Sequence, residues 1–106
     1  MSNIVSVYAT FGSEEEARRI GRQAVERGLA ACVNILPAGH SIYRWRGEVA
    51  EEEEVFALFK TSAARARELL SHIEAEHGYD VPAAVVWPID EALADYEAWV
   101  RKETSS

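Results

Sequence analysis

The sequence has a single cysteine, Cys32, which rules out an intrachain disulfide and with it the small secreted scaffolds that depend on several. It also lacks any cluster of basic residues. Eleven Lys and Arg stand against 18 Asp and Glu, giving a net charge of -7, so the long-range field repels nucleic-acid backbones and anionic membranes. No apolar run approaches the ~20 residues of a membrane-spanning helix. The opening Met1-Ser2-Asn3-Ile4-Val5 puts no basic segment ahead of its apolar run, so a signal peptide is not expected and a reducing, cytoplasmic setting is. Common catalytic motifs are missing as well: there is no Gly-rich phosphate loop, no Gly-x-Ser-x-Gly and no evident base for Cys32. Enzymatic activity is therefore not expected.

What is present is enough apolar material, 48% of 106 residues, for one modest core, so residues 1–106 are expected to form a single domain. Ile4 to Phe11 is almost wholly apolar or β-forming and predicts a covered strand. Gly12-Ser13 ends it, and Ser13 with Glu16 has the spacing of a capping box for a helix. In that helix Ala17, Ile20, Ala24 and Val25 recur at helical spacing, Glu14–Arg18 and Glu15–Arg19 pair on the wet face, and Gly28 closes it. A second helix, capped from Thr61-Ser62, carries Ala66, Leu69, Leu70 and Ile73 until Gly78. Ala83 to Trp87 predicts a fourth strand bounded by Pro82 and Pro88, and Asp90 a cap for a last helix bearing Leu93, Tyr96, Trp99 and Val100. A polar tail follows from Lys102 to Ser106.

Between the first two helices lies one long hairpin, its arms Ala30 to Trp45 and Val49 to Thr61. Arg46-Gly47 can form a two-residue turn, which would set Tyr43 opposite Ala50 and Lys60 opposite Val33. The first arm exceeds the usual ~3 to 10 residues of a strand, and Pro37-Ala38-Gly39 is where it should be interrupted or bulged. The order is βαββαβ plus a C-terminal helix. This α+β, ferredoxin-like arrangement has helices on one face of a four-stranded antiparallel sheet. Strands this apolar leave a second face that a soluble monomer rarely tolerates, and a partner subunit is its simplest cover.

The run Ala30-Ala31-Cys32-Val33-Asn34-Ile35, then Ser41-x-Tyr43-x-Trp45-x-Gly47, Lys60-Thr61, His77-x-Tyr79-x-x-Pro82 and Tyr96-x-x-Trp99 resembles the CutA divalent-cation-tolerance family. The resemblance spans almost the whole chain. It implies a ferredoxin-like subunit, a homotrimer built by edge-to-edge strand pairing, kinship of architecture with trimeric nitrogen-regulatory signalling proteins, and a link to copper and other divalent ions. One position departs from it: a carboxylate often follows the Val-Pro pair in the family, and here that residue is Ala83.

Cys32 is the one soft metal donor, and thiolate suits copper(I), although a lone cysteine on a strand is commonly a small buried hydrophobe. His77, beside Gly78-Tyr79, could reach a cleft and is the second metal candidate. His72 and Glu76 are one helical turn apart and could share an ion, but His72 and His77 diverge by roughly 140° around a helix. Since no Cys-x-x-Cys or His-Glu-x-x-His pattern occurs, a metal would need donors from neighbouring subunits. Glu48 and Glu51 to Glu54 read as a solvated strand edge that discourages aggregation. Tyr43, Trp45, Lys60, Tyr79, Tyr96 and Trp99 supply aromatics and one cation for a groove where subunits meet, serving as interface anchors, as a ligand pocket, or as both. The expected function is that of a homotrimer binding divalent metal, copper foremost. The alternative is a trimeric signalling or scaffold module that takes a small molecule or protein tail in its intersubunit clefts. Neither nucleic acid nor membrane is an expected partner.

Overall fold

A computed structural model describes residues 2–105; Met1 of the expected leaderless start and Ser106 of the expected tail lie outside them. The elements run β1 (Ile4–Phe11), α1 (Glu14–Glu26), β2 (Cys32–Trp45), β3 (Glu48–Ser62), a 3-10 turn (Ala63–Arg65), α2 (Ala66–Glu76), β4 (Ala84–Pro88) and α3 (Ala94–Glu103). The sheet is antiparallel in the order β2-β3-β1-β4, which is the ferredoxin-like arrangement. The helical part of the expected tail reaches Glu103. No described helix is long and apolar enough to cross a membrane.

Alternation along β1 sorts the side chains onto two faces. Val7, Ala9 and Phe11 meet Phe59, Ala57 and Val55 of β3, and α1 and α2 cover them with Ala17, Ile20, Ala24, Leu69 and Ile73. On the opposite face α3 packs only at one end, where Val100 joins Ile4, Ala31 and Ile89. The rest of that face stays open: Leu36, Val85 and Trp87 are exposed, and Trp87 stacks on Tyr8 at 5.0 Å between ring centroids.

Local chemistry explains α1. The Ser13 hydroxyl accepts from the Glu16 N–H at 3.1 Å, and Gly28 takes φ 71° just beyond the helix. The Gly28 and Leu29 N–H groups then reach back to the carbonyls of Val25 and Ala24 (3.1 and 2.9 Å), a Schellman closure. Arg18 pairs with Glu14 as expected, but Arg19 turns to Glu76 of α2 (2.9 Å) instead of Glu15.

The other caps are decided by tertiary contacts. Thr61 does not start α2, because its hydroxyl is buried and donates to the Leu29 carbonyl at 2.7 Å while β3 runs on through Ser62. Nor does Asp90 cap the last helix: α3 begins at Ala94 behind Leu93, which makes no side-chain cap and is 82% exposed.

The hairpin turns at Arg46-Gly47, both with positive φ (52° and 85°), the signature of a type I′ turn. Tyr43 faces Ala50 as the sequence predicts, but Lys60 faces Cys32, not Val33. The cause is a bulge between Leu36 and Gly39, where Pro37 and Ala38 together oppose Val55, so the register shifts by one and β2 continues unbroken. The left-handed residue there is Ala38 (φ 64°). Gly39 serves a different need, since a Cβ on it would sit 2.4 Å from the Phe56 ring.

Candidate functional site

Where the hairpin arm leaves the body of the sheet, a cavity of about 640 Å³ opens on the face away from α1 and α2. Its floor follows from the tip register: Ser41 opposes Glu52 and Gly39 opposes Glu54, so Glu52 and Glu54 share a face with Ser41, Tyr43 and Trp45. The Tyr43 hydroxyl donates to Glu52 Oε1 at 2.7 Å, a diagonal contact across the two strands. From the far wall the Tyr79 hydroxyl donates to Glu54 Oε2 at 2.9 Å. Asp80 and Ala83 complete that wall, so the position where the resemblance leads one to look for a carboxylate lines the cavity as a methyl group.

Both phenols hold their protons above their ordinary pKa. For Tyr43 the main cause is the hydrogen bond to Glu52, followed by burial and the charges of Glu52 and Glu54. For Tyr79 burial comes first and the bond to Glu54 second. A phenol that donates to a carboxylate loses that bond on ionising and would place two negative charges in contact.

His77 does not line the cavity but braces the far wall through Thr10 and Tyr79. Its Nε2 lies 2.7 Å from the Thr10 carbonyl, which can only accept, and its Nδ1 lies 3.1 Å from the Tyr79 N–H, which can only donate. The ring is therefore the neutral Nε2–H tautomer with both nitrogens engaged, and it stacks on Phe11 at 4.9 Å. Glu16 ties the same loop to α1 by accepting from the Gly78 N–H at 2.8 Å. As placed, His77 has no free lone pair for a metal.

The remaining candidates gather at the other end of the face. Cys32 opposes Lys60, whose Nζ donates to Asn34 Oδ1 at 3.0 Å. Cys32 Sγ lies 3.5 Å from the Tyr96 hydroxyl, and Tyr96 and Trp99 rings sit 5.9 Å apart on α3. Burial first, then the bond to Cys32, pushes the Tyr96 pKa up to about 12. Lys60 and Glu52 are eight residues apart on one strand, about 26 Å at ~3.3 Å per residue, so the six aromatic and cationic candidates form two sites and not one groove within a chain. Cys32 and His77 likewise do not converge, and among the described residues no three His, Cys, Asp or Glu side chains could hold a metal ion together.

His72 and Glu76 do not share an ion site: His72 is buried with Arg27 Nη1 3.4 Å from its Nδ1, and Glu76 is engaged by Arg19. His40 lies opposite Glu53 on the exposed arm. From sequence Glu52 and Glu54 count as edge charge, and nothing there singles out Asp80. The signal for the first two was available, because the register that puts Tyr43 opposite Ala50 puts Ser41 opposite Glu52 on the next rung of the same face.

Comparison with known proteins agrees on one family. A family profile described as CutA1 divalent ion tolerance protein matches residues 5–103. The chain is 46% identical over 98 residues to the divalent-cation tolerance protein CutA of Thermus thermophilus, covering 92% of this chain and 95% of that protein. It is 34% identical over 104 residues to protein CutA of Homo sapiens, spanning 98% of this chain but 58% of the human one. The crystal structure of CutA from Xylella fastidiosa superposes with a TM-score of 0.96 at 31% identity, over 98% of this chain and 100% of that one.

Proposed function

The chain belongs to the CutA1 divalent ion tolerance family, and from that premise we propose that it works as a homotrimer that binds divalent cations, copper foremost, and so contributes to cation tolerance. The observation that carries the reading is the division of donors within one chain. The Cys32 thiol lies at one end of the open face and the Glu52, Glu54 and Asp80 carboxylates at the other, so a complete coordination shell needs more than one subunit. The open apolar face and the outer edges of β2 and β4 give copies of the chain a surface to share. A binding role accords with the family, and the Cys32 thiol faces the Tyr96 hydroxyl. A cytoplasmic location suits a free cysteine.

Native mass spectrometry of chelator-stripped protein, alone and with copper(I), copper(II) or zinc at a few equivalents, tests this directly. A trimer taking up a fixed whole number of ions, fewer in Cys32→Ser, is the expected result. A monomer, or a ragged distribution of ions, overturns it.

A second reading has its own support. The cavity walled by Tyr43, Trp45 and Tyr79 falls within the ~300–1,000 Å³ of small-molecule sites, which makes it a place for a small molecule or a protein tail. Under this reading Tyr43→Ala weakens ligand binding, and Lys60→Ala has no direct effect within the same chain.

A further inference from the structure

The long hairpin outreaches the sheet that carries it. β1 stops at Phe11, opposite Val55, so from Glu54 outward β2 and β3 have no third strand beside them. The bulge falls on the same rung, where Pro37 and Ala38 together oppose Val55 and Ala38 takes φ 64°. The arm, residues 39–54, is therefore a two-stranded ribbon that starts at a break in the ladder, and such a ribbon has little stability of its own. Burial does not make up for this, since between residues 40 and 53 only Ser41 and Ala50 are even partly covered. Among the described residues a single side-chain hydrogen bond joins the arm to the rest of the chain, from the Tyr79 hydroxyl to Glu54 Oε2 at 2.9 Å. The bonds of Tyr43 and Arg44 stay within the arm, and no ion pair among the described residues reaches it.

We propose that Tyr79 is a latch that holds the arm at its root, so that the arm's setting depends on the loop from His77 to Ala83. The ring lies just past the end of β1, where a Cβ on Gly12 would stand 3.2 Å from it, and so takes the place a longer β1 would fill beside Glu54. The tyrosine is itself firmly seated. His77 accepts the Tyr79 N–H at 3.1 Å and donates to the Thr10 carbonyl at 2.7 Å, while Glu16 of α1 accepts from the Gly78 N–H at 2.8 Å. The loop is thus fastened to β1 and α1, and the phenol carries that attachment across the bulge to Glu54, the first rung of the arm. Its acceptor is a carboxylate, which makes the bond stronger than one between neutral groups. With the bond made, the ribbon keeps one direction; without it, the ribbon pivots at Pro37–Gly39 and its rungs open more often. The inference concerns the setting of the arm and stands whether or not the cavity takes a ligand.

Hydrogen exchange of the full chain, read by mass spectrometry in its assembled form, tests the latch. Tyr79→Phe keeps the ring and loses only the hydroxyl. In that variant the amides of residues 40–53 should exchange about tenfold faster, while β1 and residues 55–62 of β3 keep their protection. Glu54→Gln retains an acceptor without the charge and should give a smaller rise. The double variant should exchange no faster than Tyr79→Phe alone, because both changes act on one bond. Unchanged exchange of the arm in Tyr79→Phe would mean that the ribbon or contacts between copies hold it, and would overturn the proposal. Faster exchange spread equally over β1 would make the bond an ordinary contribution to stability and overturn it as well. Effects that add in the double variant would show that the two side chains act separately, which is equally fatal to a latch.

Discussion

His77 carries both of its hydrogen bonds to backbone groups, and that makes it a strut of the cavity wall. His77→Ala leaves the Thr10 carbonyl and Tyr79 N–H without their partner and removes a ring stacked on Phe11. Stability should fall by about 1–3 kcal/mol, read from urea denaturation, while the number of metal ions bound stays the same. A loss of bound metal at unchanged stability would instead make His77 a ligand. The tyrosines make a second residue-scale prediction. Tyr43, Tyr79 and Tyr96 all hold their protons above the ordinary value of 10.0, so between that pH and about 12 the folded chain keeps protons that the unfolded chain releases. Their contribution is complete below pH 10 and is lost as pH climbs through the folded values. Alkaline titration of the melting temperature should therefore show a decline beginning near pH 10, and Tyr96→Phe should make it shallower. An equally steep decline in that variant would mean that Tyr96 does not carry the alkaline linkage.

At the scale of elements, the bulge in β2 decides which side chains meet. Gly39 lies where the Phe56 ring crosses the strand, and a methyl group there would stand 2.4 Å from the ring and 2.9 Å from the Glu54 carbonyl. Gly39→Ala should cost about 1–3 kcal/mol or more by overpacking, seen as a lower melting temperature and weaker protection of the Glu54 region from hydrogen exchange. An unchanged melting temperature would mean that the arm moves freely at the bulge. The same stretch shows where the sequence is legible. Arg46-Gly47 states its turn locally, and Ser13 and Gly28 bound α1 with groups only a few residues away, so both could be read. The extra residue at Pro37-Ala38 leaves no local mark that fixes its count, and every pairing below it was therefore displaced by one. Thr61 looked like a cap because its chemistry is that of a cap; the Leu29 carbonyl, 32 positions away, claims it instead. Glu51 to Glu54 look like a solvated edge from sequence, and Glu52 is indeed exposed, but the contact of Tyr79 with Glu54 comes from a loop beyond α2 that no local pattern announces.

For the whole molecule the decisive fact is the apolar surface that its own chain leaves uncovered. Leu93 is 82% exposed, Trp87 48% and Trp99 41%, on or beside the sheet face that α3 covers only at one end. The helical spacing of Leu93, Tyr96, Trp99 and Val100 promised a buried stripe, yet only Val100 is buried, and burial against another copy would complete the stripe. At roughly 25 cal/mol per Å² of apolar area, large side chains of this kind represent a substantial driving force for association, against which the net charge of -7 acts only weakly at physiological salt. Self-assembly links stability to concentration, because the assembled form is drained as subunits dissociate. The melting temperature should therefore rise when protein concentration is raised about a hundredfold, and Trp99→Asp should both lower it and abolish its concentration dependence, giving a smaller species by size-exclusion chromatography with light scattering. Trp99 lies on α3 beside Tyr96 and outside the core that holds α3 to the sheet, so a folded but dissociated variant is the expected product. A wild-type chain that runs as a monomer and melts at the same temperature at every concentration would mean that this face meets solvent, and the trimer would then have to be given up together with the shared cation site.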